Sequence, residues 1–565
     1  MKRMSWTTLG IAGAAIAILA GCGSDDGAAS DTGGAAGGGG SGTPTAIAWS
    51  PCPILTDGAG KEAECATVDV PLDWDHPEGT QIQVFVKRIP GTGTERRQVW
   101  LLTGGPGGSG AGLEEALAVP LQALSPSSDI YLVDHRGVGR SSRLGCPDQE
   151  VPGMDGIDPN EWAACLAHLD ATLGPDLGHF NTTNAARDVG ALIERTRAPG
   201  QEAHVYGVSY GTYWAQRYLQ LFPDQPTSVT LDGLCQAGLC SLTTFDRWVD
   251  HVGRKFMGAC GADAFCGDKL GADPLAAMGA FLDGIDEKKC EGITNLGVTR
   301  GLAKQLFAAL VATLETRALV PALVYRGNRC APSDVAAFEH LIGFLTAPPA
   351  SSAANPDAYL YSQVLSFNVA ISEMMELDPL PLAEAQSIQD QAFFWTGDVA
   401  TEYALFDAWP RYARDAYVGK YAPTTVPMLM MNGTLDPQTP IEFADEIAPN
   451  YTQPHQTFVA FPDAPHALVM RTPTMDPPHT PCALSMFASF VADPEAPVDA
   501  ACIAELMPLD FHGDPAMAGA LLGAADLWED GGKAQAPETG ARADRAFDEV
   551  RRAFQRARQG APFPR

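Results

Sequence analysis

The chain has 565 residues, 45% of them hydrophobic, which is enough for a core larger than one small domain can hold. Its 37 basic and 68 acidic residues leave a formal net charge of −31. That balance argues against nucleic acid as a partner, mildly favours cationic or amine-bearing ligands, and above all suits solubility.

Residues 1–22 form a targeting segment. Lys2 and Arg3 make a short positive region, and the apolar run Leu9–Ala20 is too short to span a bilayer. It ends Leu19-Ala20-Gly21-Cys22, which resembles the lipobox of bacterial lipoproteins. There the cysteine is lipidated and becomes the mature N-terminus. The alternative is an ordinary secretory peptide with an incidental cysteine. Gly23-Ser24 stand where an aspartate would retain a lipoprotein at the inner membrane. The resemblance therefore implies an exported protein, anchored through Cys22 to the bacterial envelope at its outer membrane. Residues 23–47 are rich in Gly, Ala, Ser and Asp without apolar period, and are expected to be a flexible linker. A coil of about 25 residues spans roughly 25–30 Å. No later stretch reaches the ~18 unbroken apolar residues of a membrane span.

Export would place the other cysteines in an oxidising compartment. Setting Cys22 aside from the 13 leaves an even 12. Sequence neighbours are the simplest partners: Cys52 with Cys65, Cys146 with Cys165, Cys235 with Cys240, Cys260 with Cys266 and Cys482 with Cys502. That leaves Cys290 for Cys330. Zinc is the competing use, but neither C-x-x-C nor H-E-x-x-H spacing supports it, and no metal or cofactor is expected.

From Cys65 the pattern is that of strands. Ala66–Val70 and Gln81–Arg88 predict an antiparallel opening pair, the second alternating apolar and polar. Short apolar runs follow at Val99–Thr103, Ile130–Asp134, Val205–Val208 and Ser228–Asp232. Helical stretches alternate with them, among them Leu113–Leu124 and Asn184–Thr196. This alternation predicts a parallel sheet covered by helices. The turn after the third run, Gly207-Val208-Ser209-Tyr210-Gly211, has the form G-x-S-x-G. A serine on a sharp strand-to-helix turn has its hydroxyl lifted above the sheet, and the helix N-terminus offers N–H groups to an anion. Leu234 to about Ala422 has helical periodicity instead, as in Val298–Leu314 and Tyr359–Met375. It reads as a helical block over the sheet, or as an independent helical domain. The sheet pattern resumes at Val426–Met431 and Thr457–Phe461. In the tail, Ala543, Phe547, Val550, Phe554 and Ala557 recur at spacings of four and three, which predicts an amphipathic helix over Arg542–Arg558. Six arginines against three acids occupy its polar face. Packing back on the protein is the default, and adhesion to an anionic membrane the alternative.

A nucleophilic serine needs a base, a group orienting the base, and donors for the oxyanion. The loop Gly104-Gly105-Pro106-Gly107-Gly108-Ser109-Gly110 leaves the strand Val99–Thr103. From it Gly105, with Gly104 beside it, would supply one oxyanion N–H and Tyr210 the other. Asp436 lies just past the strand Val426–Met431, and His466 in the loop after Thr457–Phe461. Ser209, Asp436 and His466 thus follow the chain order of one known triad architecture and neither of the other two. His479 and Asp463 are the rivals for base and acid.

Gly104–Gly110, Asp134-His135-Arg136-Gly137-Val138-Gly139-Arg140-Ser141, Gly207–Gly211, the Asp436 stretch and His466 together resemble the secreted prolyl/tripeptidyl aminopeptidase branch of the α/β-hydrolases. The likeness covers about residues 48–505, including a TAP-like C-terminal part. The pairs Cys52 with Cys65 and Cys482 with Cys502 also resemble that branch. Leu102-Thr103 replaces the family's Asn-Pro or His before the glycines, and His135 its Pro or Gln. The resemblance implies an α/β-hydrolase fold: a mostly parallel sheet with helices on both faces, and a helical cap inserted after the strand that follows the nucleophile helix. The layout is then residues 1–22 signal peptide, 23–47 linker, 48–233 first part of the core, 234–422 cap, 423–508 second part of the core, and 509–565 tail. It also implies a serine peptidase of aminopeptidase type, cutting short peptides or amides from the N-terminus through an acyl-enzyme. A monomer is expected. Glu373 and Glu376 are the cap acids expected to meet the substrate amine. A carboxylesterase acting on lipid or small-molecule esters is the alternative, and a tethered binding protein with an unused serine the third class.

Overall fold

The computed structural model describes residues 46–55, 62–94, 96–150, 156–347, 360–529, 547 and 550–551. The expected leader with Cys22, and residues 23–45 of the expected linker, lie outside the described residues. One nine-stranded sheet organises the molecule: β1 (Ser50–Pro53), β2 (Glu62–Pro71), β3 (Gln81–Ile89), β4 (Arg97–Leu102), β5 (Ser128–Val133), β6 (Ala203–Val208), β7 (Ser228–Asp232), β8 (Met428–Gly433) and β9 (Gln456–Phe461). Their spatial order is β1-β2-β3-β5-β4-β6-β7-β8-β9. β1, β2 and β3 pair antiparallel, as does β3 with β5, and β5 through β9 run parallel.

The burial of the strands follows from that order. β5, β6, β7 and β8 are buried along their whole length, because helices cover both faces. Such strands need near-continuous apolar sequence, which is why they were legible as runs. β2 alternates buried and exposed residues, as an antiparallel strand with one solvated face does. β1 escaped the sequence reading. Pro51 and Pro53 interrupt it, and it survives only because it is an edge strand with no second ladder to fill. The expected helix over Leu113–Leu124 is a composite: a 3-10 turn to Leu113, a π turn over Glu114–Ala118 and an α-helix over Val119–Leu124.

From β4 the chain goes first to β5 on one side and then to β6 on the other. A crevice opens at the carboxyl ends of strands where the order reverses in this way. The glycine loop leaves β4 and Ser209 leaves β6 at that end.

Between β7 and β8 the described residues form helices and no strand. They divide between two cores. Leu319, Leu323, Phe338 and Leu341 form a core of their own with Phe511, Leu521, Trp528, Phe547 and Val550 of the tail. Val364–Met375 and Leu405–Trp409 instead pack onto the core above the sheet. Of the expected tail helix, Phe547 packs on Phe344, while Arg551 donates to Phe344 O and lies over its ring. These residues therefore face the protein.

Six disulfides join the twelve described cysteines, each in the expected neighbour pairing. Cys52 is bound to Cys65, which ties β1 to β2. Cys146 is bound to Cys165, and both are fully buried. Cys482 is bound to Cys502, which fastens the helix Cys482–Ala492 to the 3-10 turn Ala501–Glu505. The other three are Cys235 with Cys240, Cys260 with Cys266, and Cys290 with Cys330. Among the described residues, no helix is long and apolar enough to cross a membrane.

Candidate active site

Ser209 joins β6 to the helix Tyr210–Leu221 with φ 59° and ψ −128°. That backbone is strained for a residue with a Cβ, and persists only where the surroundings over-determine it. The Ser209 N–H donates to Asp232 O at 2.9 Å. Its carbonyl accepts from Thr212 N at 2.8 Å and Thr212 Oγ1 at 2.7 Å. A Cβ at Gly207 would stand 2.2 Å from Gly211 O, and one at Gly211 2.3 Å from Leu102 O. Both glycines of the motif are thus required by space. The glycine loop is equally close: a Cβ at Gly104 would meet Ser209 Cβ at 2.7 Å. Gly105, Pro106, Ser209 and Tyr210 line one cleft. The Tyr210 N–H is the first of its helix, where no preceding turn supplies a carbonyl.

Asp436 and His466 come together at the ends of β8 and β9. His466 Nδ1 lies 2.7 Å from Asp436 Oδ2, with both side chains buried. Asp436 Oδ1 accepts the N–H groups of Gln438 (2.8 Å) and Thr439 (2.9 Å), and the Thr439 hydroxyl donates to Oδ2 at 2.8 Å. With these donors on its oxygens, Asp436 is placed to accept from a His466 Nδ1–H, the tautomer that leaves Nε2 as acceptor. Thr439, which the sequence reading missed, also lies 3.1 Å from His466 Nδ1 and lines the cleft with Ser209. Its place three residues after Asp436 was the available signal. Gly233 packs against this pair: a Cβ there would approach Thr439 Oγ1 to 2.7 Å and His466 Cε1 to 3.0 Å. The rivals lie apart. His479 is exposed and bonds Thr474 O, and Asp463 is exposed with its backbone held by Thr434 and Arg317.

Behind the cleft, the Tyr210 hydroxyl meets Thr182 Oγ1 at 2.9 Å and His135 Nε2 at 3.2 Å. Burial pulls the His135 imidazole down to about 3, so it stays neutral. Its Nδ1 bonds Arg136 O at 2.6 Å, which leaves Nε2 to accept from Tyr210. The departure at His135 is therefore a grip on the residue after the serine.

The expectation for Glu373 needs correction. It is buried away from the cleft, and its carboxylate is saturated by protein donors. Thr182 N (2.9 Å) and Tyr412 OH (2.7 Å) reach Oε1, and Tyr213 OH (3.0 Å) reaches Oε2. Arg217 supplies the countercharge at 3.5 Å. A free ammonium has no room there. Glu376 differs: it is half-buried and accepts from Ser241 Oγ, and Ser241 lines the cleft. The remaining wall is mostly apolar, from Leu242, Phe245, Ala370, Met374 and the Cys235–Cys240 disulfide.

Two family models match this chain. Residues 99–258, which hold the glycine loop and Ser209, match the family model for the alpha/beta hydrolase fold. Residues 392–502, which hold Asp436 and His466, match the model for TAP-like protein. The chain is 31% identical over 225 residues to the tripeptidyl aminopeptidase of Streptomyces coelicolor, covering 34% of this chain and 40% of the relative. It is 28% identical over 267 residues to serine protease Hip1 of Mycobacterium tuberculosis, covering 42% and 49%. Carboxylesterase B of Mycobacterium tuberculosis is 39% identical over 84 residues, covering 14% and 16%. The chain thus spans less than half the length of these curated relatives.

Proposed function

We propose that the chain, with an α/β-hydrolase fold and a C-terminal part matching the TAP-like model, is a serine hydrolase releasing residues or short peptides from the N-terminus of peptides or amides. The observation that carries the reading is the buried Asp436–His466 pair, 2.7 Å apart, whose Thr439 partner lines one cleft with Ser209 on its strained turn. Ser209 attacks the carbonyl, and His466 takes the proton and returns it to the leaving amine. Asp436 stays ionised and holds the Nδ1–H tautomer. The N–H groups of Gly105 and Tyr210 receive the oxyanion.

Glu376, beside the cleft through Ser241, is the carboxylate best placed for the substrate ammonium. The helical residues between β7 and β8 act as the cap that carries it. Six disulfides suit an exported protein, and Cys22 is the proposed lipid anchor of a monomer at the envelope. Ester cleavage is the second reading, favoured by the apolar cleft wall and the likeness to a carboxylesterase.

Turnover of tripeptidyl amides with free and N-acetylated termini, beside short acyl esters, separates the two. Loss of the ammonium should lower kcat/KM by about 10–100-fold, as when a hydrogen bond to a charged group is removed. Equal cleavage of free and blocked termini rejects the aminopeptidase reading.

A further inference from the structure

Asp232 closes β7, between the strand that leads to Ser209 and the strand that leads to Asp436. It is fully buried. Its backbone carbonyl accepts the Ser209 N–H at 2.9 Å. Its side chain turns towards the histidine loop, where Oδ1 accepts from Leu468 N at 2.9 Å and Oδ2 from Val469 N at 3.0 Å. These are the second and third residues after His466. The chain can aim both N–H groups at one carboxylate because Ala467 takes a left-handed turn, φ 64°. Tyr206, on β6, donates its hydroxyl to Oδ2 at 2.8 Å.

We infer that Asp232 is a positioning residue for the proposed reaction, fixing Ser209 through its main chain and His466 through its carboxylate. The inference rests on the serine-hydrolase reading above. A strand end needs no carboxylate for its own sake, since burying one is costly unless donors meet it. Here three donors converge on it. Burial raises its protonation range, and the donors together with the imidazole oppose that rise. The titratable groups acting on it are Tyr206, which bonds it, and His466, which interacts with it electrostatically, while His466 itself bonds Asp436. A second negative charge acting on His466 besides that of Asp436 favours the imidazolium that forms when Ser209 gives up its proton. Asp232 touches no substrate, so it acts only through the two residues that it holds.

The test compares wild type, Asp232→Asn and Tyr206→Phe by the rate of fluorophosphonate labelling at Ser209, and by kcat and KM for p-nitrophenyl acetate. Asparagine keeps the size but removes the charge and turns an N–H donor towards the loop. Labelling rate and kcat should fall by about 10–100-fold with KM within about twofold, as expected when the hydrogen bonds orienting a reacting group are lost. The acid limb of the kcat/KM profile should also move to lower pH, which a merely structural contact would not cause. Tyr206→Phe keeps the ring packed on Phe487 and removes one donor, so a loss of about threefold to tenfold is expected. It decides the matter if the asparagine variant does not fold. Wild-type labelling and an unmoved acid limb in Asp232→Asn, or wild-type labelling in Tyr206→Phe, overturn the inference alone. A wild-type protein unlabelled at Ser209 removes the hydrolase reading, and this inference with it.

Discussion

The Thr439 hydroxyl donates to Oδ2 of Asp436, the same oxygen that faces His466 Nδ1. One carboxylate oxygen therefore holds both the base and the group that fixes its own rotamer. Thr439→Val keeps the shape and removes that donor. A kcat loss of about 1–2 kcal/mol, roughly 5–30-fold, is expected with KM nearly unchanged. Steady-state kinetics checks this, and a variant with full kcat would show that Asp436 is held well enough by its two backbone donors.

Glu373→Gln should act on stability and not on substrate choice. The change takes the buried carboxylate from Arg217 and leaves it only the exposed Asp415 at 3.5 Å, at a cost of up to about 3–5 kcal/mol. Denaturant unfolding should show the loss. The ratio of kcat/KM for free over acetylated substrates should stay as in wild type. A selective loss on free amines would return Glu373 to the substrate site.

His135 gives a pH signature. Its folded value lies near 3, against about 6.5 for an unfolded histidine. Between those values the unfolded chain binds a proton that the folded chain does not, so this contribution to stability is complete above pH 6.5 and is lost as pH falls towards 3. The full difference is on the order of 4–5 kcal/mol. His135→Gln can still accept from Tyr210 but does not titrate. Its melting temperature should therefore fall less steeply than that of wild type between pH 6.5 and 4. Parallel curves would contradict the buried neutral imidazole.

Cys22→Ser should move the protein from membranes to the soluble exported fraction. A variant that stays on membranes would shift attention to the arginine-bearing tail, although its Phe547, Val550 and Arg551 face the protein.

The sheet was legible because its central strands are buried on both faces and so must be written as apolar runs. β1 was not, since Pro51 and Pro53 are tolerable only at an edge, and edges carry no pattern. The disulfides were legible too, because partners such as Cys146 with Cys165 and Cys482 with Cys502 lie only 19 and 20 residues apart. The pairing of Asp436 with His466 was legible from their positions after strands, because strand ends fix where a following side chain can go. What surrounds it was not. Asp232 reads as the last residue of a strand, and the two backbone donors that its side chain meets lie 236 and 237 residues away. Glu373 sits in a helical stretch whose period gives a face but not what that face meets. Its partners come from Thr182, Tyr213 and Tyr412, on separate stretches of the chain. The Phe511–Trp528 tail likewise shows its apolar residues but not that they complete the core of the helices between β7 and β8.

The most direct test of the account is mapping of a fluorophosphonate adduct on the full chain. Labelling should occur at Ser209 alone and vanish in Ser209→Ala, with kcat lower by roughly 10⁴–10⁶. An adduct that persists in Ser209→Ala, or that forms on another serine, would contradict it.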